Sequence, residues 1–239
     1  FLYFIECNER YPFSDMTSFE WWDIAVGVAG LLTTTIAAAI LFAVKREPKL
    51  HVKGARVLIT GGSTGIGLAM AKEFVRRGAR VVISARREDV LQRAVEEINA
   101  DAKAQSALLH AAQYTVMDVS SDASTKAGFE QALSAAASDH FDVVVCCAGF
   151  SHPSRFLDCP SDVAKQMMDV NYFGCVNVAR VALPGMLKSR RGRLVFVSSM
   201  AAAAPIAGFT TYAPTKAAVR AFAQALDMEY ATLGVRSQV

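Results

Sequence analysis

The sequence predicts an α/β protein, a doubly wound parallel sheet with helices on both faces, preceded by one transmembrane helix. Three observations carry that reading. From Ala55 onward, short apolar runs alternate with longer amphipathic stretches, the pattern of strands buried on both faces and joined by crossover helices. A glycine-rich turn separates the first such strand from the first such helix. Upstream, Ile24–Val44 is an uncharged apolar run of 21 residues, matching the ~20 that a helix needs to cross a bilayer.

Composition narrows the classes further. Of 239 residues, 53% are hydrophobic and 20% charged, with a mean hydropathy of +0.27, which excludes a disordered chain. Lys and Arg number 25 against 22 Asp and Glu, without the clustered basic face of a nucleic-acid binder. The five cysteines, Cys7, Cys146, Cys147, Cys159 and Cys175, lack C-x-x-C or Cys/His spacing. Neither a disulfide framework nor a metal site is indicated, and free thiols in a reducing compartment are expected.

Trp21 and Trp22 stand at the start of the apolar run, and Lys45, Arg46 and Lys49 follow its end, as interfacial anchors should. The upstream side carries Glu6, Glu9, Asp15, Glu20 and Asp23 against Arg10 alone. Positive-inside bias therefore assigns residues 1–23 to the lumen, 24–44 to the membrane, 45–54 to a basic linker and 55–239 to a cytosolic domain. A cleaved signal peptide is the rival, but its basic n-region is missing and the run exceeds an h-region of about 7–15 residues. The chain begins at Phe1 rather than Met, and Gly234–Val239 reads as the opening of a sixth strand, so the domain is expected to continue beyond Val239.

Within the domain, strands are predicted at Arg56–Thr60, Arg80–Ala85, Tyr114–Val119, Phe141–Cys147 and Arg193–Ser198, each rich in Val, Ile, Leu or Phe. Helices are predicted at Gly65–Arg77, Glu88–Ala100, Ala123–Ala137, Ser161–Lys188 and Thr211–Thr232, with Asp122 and Ser161 as N-caps and Gly78 as a C-terminal stop. Asp101–Gln113 shows no clear period and is expected to be a loop.

The turn Thr60-Gly61-Gly62-Ser63-Thr64-Gly65-Ile66-Gly67 opens directly into a helix. Glycines let backbone approach a pyrophosphate, and the helix N-terminus presents free N–H groups and a positive dipole end. Gly61, Ser63, Thr64, Gly65, Ile66 and Gly67 are accordingly candidate dinucleotide contacts. After the second strand, where a carboxylate would bind a ribose 2′-hydroxyl, stand Arg86 and Arg87; two guanidinium groups favour a 2′-phosphate, hence NADP(H) over NAD. Asp118, with Val119 beside it, closes the third strand, placed either to accept from an adenine amino group or to cap the following turn.

Tyr212 and Lys216 are four residues apart at a helix start, so both side chains lie on one face. An ammonium beside a phenol makes the phenol usable in proton transfer. Ser198-Ser199 close the fifth strand about 13 residues earlier, and Asn171 lies in the preceding helix. Together with the glycine loop, these residues resemble the short-chain dehydrogenase/reductase family over residues 52–239. The resemblance implies a Rossmann-type domain in which Ser199 polarises a carbonyl, Tyr212 moves its proton, Lys216 holds the nicotinamide ribose and Asn171 supports a water-linked relay. Where the family usually has Asn-Asn-Ala-Gly, this chain has Cys146-Cys147-Ala148-Gly149. Two amides are lost, while Ala148 and Gly149 keep the close backbone approach to the cofactor. A nucleophilic role for Cys146 or Cys147 lacks a placed base.

Gly192–Ser199, Gly208–Lys216 and the following run to Leu226, with the anchor, resemble the membrane-bound members of that family in sphingolipid synthesis. That implies a long-chain sphingoid ketone as substrate, NADPH as reductant, and a single-pass endoplasmic reticulum protein facing the cytosol. Steroid, retinoid or 3-ketoacyl thioester reductases are rivals of the same chemistry, and a non-catalytic NADP(H)-binding scaffold is the rival of another class. Family members often pair through long helices, and the apolar content of Val176–Leu187 permits a homodimer.

Overall fold

The structure, a computed structural model, describes residues 25–35, 51–104 and 110–239. The chain divides into two compact units, Phe1–Leu50 and His51–Val239. In the first, residues 25–35 are helical. Position 24 and positions 36–44 of the expected spanning segment lie outside the described residues. Among the described residues, no helix is long and apolar enough to cross a membrane.

The second unit is a six-stranded, wholly parallel sheet. Its strands are β1 (Arg56–Thr60), β2 (Arg80–Ala85), β3 (Gln113–Val116), β4 (Val143–Cys146), β5 (Gly192–Phe196) and β6 (Val235–Gln238), in the order β3-β2-β1-β4-β5-β6. The interleaved helices are α1 (Gly65–Arg76), α2 (Glu88–Ala104), α3 (Asp122–Ala135), α4 (Ser161–Met168), α5 (Gly174–Ser189) and α6 (Tyr212–Tyr230). Val57, Leu58, Ile59, Val144 and Val145 are fully buried, as central strands covered on both faces must be. One core cluster joins Phe129 of α3, Val178 of α5 and Val219 of α6 to Leu58, Val144 and Phe196 of the sheet. Edge-on ring pairs at 5.6 Å, Phe129–Phe141 and Phe196–Phe222, fill it.

The strand order reverses between β1 and β4, and both ends of that junction are pinned. At the C-terminal end, the buried Thr60 hydroxyl donates to the Val145 carbonyl (3.3 Å) and accepts from the Cys147 and Ala148 N–H groups (3.2 and 3.3 Å). At the N-terminal end, Asp142 Oδ2 accepts from the backbone N–H and Nε of Arg56, both at 2.9 Å. Arg56 Nη1 also donates to Ser138 Oγ at 2.6 Å, and Arg191 Nε stands 3.4 Å from Asp142 Oδ1. Burial pushes the Asp142 carboxyl up, but the Arg56 hydrogen bonds and charge outweigh it and hold it below the ordinary aspartate value.

Several sequence expectations are corrected. The predicted helix Ser161–Lys188 is two helices joined by a π-helical turn, Asp169–Phe173. Ser121, not Asp122, caps α3, accepting from Ser124 N–H, and Pro160 rather than Ser161 occupies the cap of α4. Strands β3, β4 and β5 stop three, one and two residues before their expected ends, although the apolar residues continue. Helix α2 runs to Ala104, inside the expected loop, of which 105–109 lie outside the described residues. Gly78, at φ +83°, does end α1.

Because the folded Asp142 carboxyl titrates below its unfolded value, its contribution is present above that value, near 3.9, and is lost as pH falls through and below it. Asp142→Asn should cost about 3 kcal/mol at pH 7 by removing the carboxylate charge that Arg56 faces. Urea unfolding as a function of pH should show a shallower acid-side loss for the variant than for the parent.

Candidate active site

The loop after β1 is docked on β2. The Gly61 and Gly62 N–H groups donate to the Ser84 carbonyl at 2.8 and 3.2 Å. Gly61 has φ +69°, and a Cβ there would stand 2.8 Å from the Ala148 backbone; one at Gly67 would stand 2.3 Å from the Gly61 carbonyl oxygen. No side chain fits at either point. Thr64 occupies the cap of α1 without a side-chain bond, and no acidic residue lies in the first turn. The helix ladder begins with Leu68 N–H to the Thr64 carbonyl, leaving the earlier N–H groups and the positive dipole end for an anion. This cradle fits a dinucleotide pyrophosphate in both shape and charge.

The cradle forms one wall of a cleft of about 370 Å³. Gly61, Ser63, Thr64, Gly65, Ile66, Gly67, Gly149, Tyr212 and Lys216 line it as expected, joined by Cys147, Phe150, Ser151, Val197 and Ser198. Of these, Cys147 and Ser198 stand out in the sequence for other reasons, while Phe150, Ser151 and Val197 carry no signal there beyond adjacency to a strand end.

Lys216 is 6% exposed, and burial draws its ammonium below the ordinary lysine value. Its Nζ donates to the Val197 carbonyl at 2.8 Å and lies 6.0 Å from the Tyr212 ring centroid. The Tyr212 ring is steadied by Phe209, with centroids 5.4 Å apart. Of the two serines, Ser198 spends its proton on the Lys216 carbonyl at 2.9 Å. Ser199 Oγ instead accepts from Ala201 N–H at 3.2 Å, so its proton remains to be donated. Ser199 sits just beyond the residues lining the cleft.

Other candidates stand apart from the cleft. Asn171 is completely buried in the π-helical turn. Its Oδ1 accepts from Phe150 N–H at 2.9 Å, and its Nδ2 donates to the Phe150 carbonyl at 2.9 Å and to Thr215 Oγ1 at 3.0 Å. Both amide protons are committed, so the carboxamide clamps the loop after β4. Asp118 Oδ1 accepts from Ser120 N–H (3.0 Å) and Oγ (2.7 Å), the turn-capping alternative. Val119 is 6% exposed and packs on Gly174 rather than facing the cleft. Ala148 lies beneath Gly61, its backbone at the distance set by glycine.

Arg86 and Arg87 are exposed where β2 gives way to α2, and neither pairs with a carboxylate among the described residues. Cys146 is buried, and its hydrogen bond with Cys175 and its burial both push its thiol up; burial also raises Cys147, against the opposing field of Lys216. Protonated thiols are poor nucleophiles. Among the described residues, no group of His, Cys, Asp and Glu could hold a metal ion.

A phosphate cradle at the switch point of a parallel sheet, facing a Tyr–Lys pair, defines a nicotinamide-dinucleotide oxidoreductase of Rossmann-type fold. The chain belongs to the short-chain dehydrogenase family, whose model matches residues 55–239. It is 34% identical over 206 residues to 3-dehydrosphinganine reductase of Danio rerio, covering 84% of this chain and 60% of that protein. With 3-ketodihydrosphingosine reductase of Bos taurus it shares 36% identity over 186 residues, covering 77% and 54%. Dehydrogenase/reductase SDR family member 7B of Xenopus tropicalis is 31% identical over 179 residues, covering 75% and 57%. The chain therefore spans 54–60% of the length of these curated relatives. A solved short chain dehydrogenase/reductase family protein superposes with a TM-score of 0.67 at 27% identity, covering 79% of this chain and 73% of its own.

Gly67→Ala should weaken dinucleotide binding at least tenfold, measured by cofactor fluorescence titration. The added methyl group meets the Gly61 carbonyl, and relieving that contact displaces the cradle.

Proposed function

We propose that this chain is the membrane-anchored, NADPH-dependent reductase of the 3-keto group of 3-ketosphinganine, acting in sphingolipid synthesis at the endoplasmic reticulum membrane with its domain in the cytosol. The observation that carries the reading is the pairing of the phosphate cradle with Tyr212 and Lys216 in one cleft. The named activity of two of the curated relatives supports the substrate. So does an apolar hollow of about 510 Å³ beside the site, lined by Ala201, two residues after Ser199, and by Ile206, Ala213, Pro214 and Ala217. It suits an alkyl chain better than a polar metabolite.

The anchor is supported by the uncharged run Ile24–Val44 and its flanking charges. In residues 25–35, the hydroxyls of Thr33, Thr34 and Thr35 donate to carbonyls one turn back at 2.7–3.0 Å, the local satisfaction that hydrocarbon demands.

The residues divide the work by what each has left to give. The N–H groups at the start of α1 bind the pyrophosphate, and the Arg86 and Arg87 guanidinium groups, without carboxylate partners among the described residues, take the 2′-phosphate. The nicotinamide, when bound, supplies a hydride to the ketone carbon. Ser199, its oxygen already an acceptor, hydrogen-bonds through its hydroxyl to the ketone oxygen and polarises it, keeping its own proton. Tyr212 delivers the phenolic proton to that oxygen, and the buried Lys216 ammonium offsets the charge left behind. Phe150 and Gly149, held by Asn171, close the cofactor side of the cleft.

Two outcomes test this reading in membranes containing the protein. The parent should oxidise NADPH on addition of 3-ketosphinganine, and Tyr212→Phe should lose about 10³-fold in turnover while binding NADPH normally. Activity confined to a steroid ketone, retinoid or ketoacyl thioester sinks the sphingoid assignment. Arg86→Ala with Arg87→Ala should raise the KM for NADPH about 30-fold and leave that for NADH within twofold, since two charge-assisted contacts are removed. Equal losses with both cofactors overturn the assignment of NADPH.

A further inference from the structure

Helix α6 carries both Tyr212 and Lys216, and its beginning is held by Ala213 N–H, which donates to the Phe209 carbonyl at 2.8 Å, without a side-chain cap. Thr211 occupies the cap position in a helical conformation and makes no side-chain cap bond. A second hold on the first turn is buried behind it. Thr215 is 0% exposed, and its hydroxyl donates to the Tyr212 carbonyl at 2.8 Å while accepting from Asn171 Nδ2 at 3.0 Å. The direction of both bonds is forced. An amide nitrogen can only donate, so the single Thr215 proton must go to Tyr212. Asn171 is fixed in turn, because its oxygen must face the Phe150 N–H. The network has no unspent proton, and such closed buried networks hold one geometry.

We propose that Thr215 is a positioning residue for Tyr212. It fastens the turn bearing the phenol to the Asn171 clamp, so that the loop after β4 and the first turn of α6 share one reference point. The inference rests on the reading of Tyr212 as proton donor. A Cβ at Gly149 would lie 2.9 Å from Asn171 Oδ1 and 3.5 Å from Lys216 Nζ, so the clamp and the cleft are one residue apart. Loss of the Thr215 hydroxyl releases the turn while leaving cradle and core intact. A misplacement on the order of 1 Å at a reacting group costs up to about 100-fold in rate.

Thr215→Val keeps shape and removes both bonds; Thr215→Ser restores them. In membranes containing the full chain, with whichever ketone the parent turns over, Thr215→Val should lower kcat about 30-fold and leave KM for NADPH and ketone within twofold. Thr215→Ser should return kcat to within about threefold of the parent. In a Tyr212→Phe background, Thr215→Val should cost nothing further, because the group it positions is gone. A rise in KM at unchanged kcat, a serine variant as poor as the valine, or a full additional loss in the Tyr212→Phe background overturns the proposal. Amide hydrogen exchange supplies an arm independent of substrate. Thr215→Val should speed exchange over 212–216 at least tenfold with β1 unchanged; no change there, or equal acceleration in β1, overturns the proposal. Should the parent reduce no sphingoid ketone, the earlier reading fails, while the steroid-ketone assay or the exchange arm still decides this one.

Discussion

The cleft is referenced to one hydroxyl. Thr60 ends β1 at the point where the strand order reverses, and its buried Oγ1 bonds β4 through the Val145 carbonyl and the Cys147 and Ala148 N–H groups. Because the two strands are held level there, Gly61 lies against Ala148 at a distance only glycine allows. The cradle, the Cys147–Gly149 wall and, through Phe150, the Asn171 clamp all inherit their positions from that contact. The chain thereby links the two halves of the sheet with backbone groups and a short side chain, which have little rotamer freedom to lose.

Two kinds of polar order divide the molecule. At the N-terminal ends of the strands, Arg56, Asp142 and Arg191 form a charged network open on one side to water. At the C-terminal ends, the buried groups are neutral: Thr60, Asn171 and Thr215, with Lys216 as the single buried cation among the described residues. Removing surplus charge from the ligand side keeps the local field for Lys216 and the α1 dipole, where a dinucleotide's negative charge would meet it. A further charged pairing, Asp227 on α6 with Arg236 and Ser237 of the edge strand β6, steadies α6 from its far end.

How much of this was legible depended on whether the determinant was local. Strands β1 and β2 were readable to the residue, since RVLIT and RVVISA are β-branched runs bounded by glycine and arginine. The ends of β3, β4 and β5 were not, because Val119, Cys147 and Val197 stay apolar beyond the last register pairs, and hydrophobicity reports burial rather than strand pairing. The π-helical turn at Asp169–Phe173 was invisible for a related reason: one extra residue per turn alters neither composition nor the apolar stripe enough to register. In Ser120-Ser121-Asp122-Ala123 three residues can cap a helix, and only the chain's path selects Ser121. At the site, the glycine loop was readable because it works through backbone geometry. The commitments of Ser198, Asn171 and Asp118 were not, since each depends on which partner, from 2 to 44 residues away, takes its proton or lone pair.

The parallel sheet also sets the order in which the chain can assemble. Arg56 and its partner Asp142 are 86 residues apart, so β1 cannot acquire its β4 neighbour until three helical crossovers have been made. At a synthesis rate of about 5–20 residues per second, that edge waits roughly 4–17 s on the ribosome. During this interval Val57, Leu58 and Ile59 present an unpaired apolar strand of the kind that recruits other chains. The same central junction that gives the folded protein its ligand cleft is thus the strand pairing that waits longest while the chain is being made.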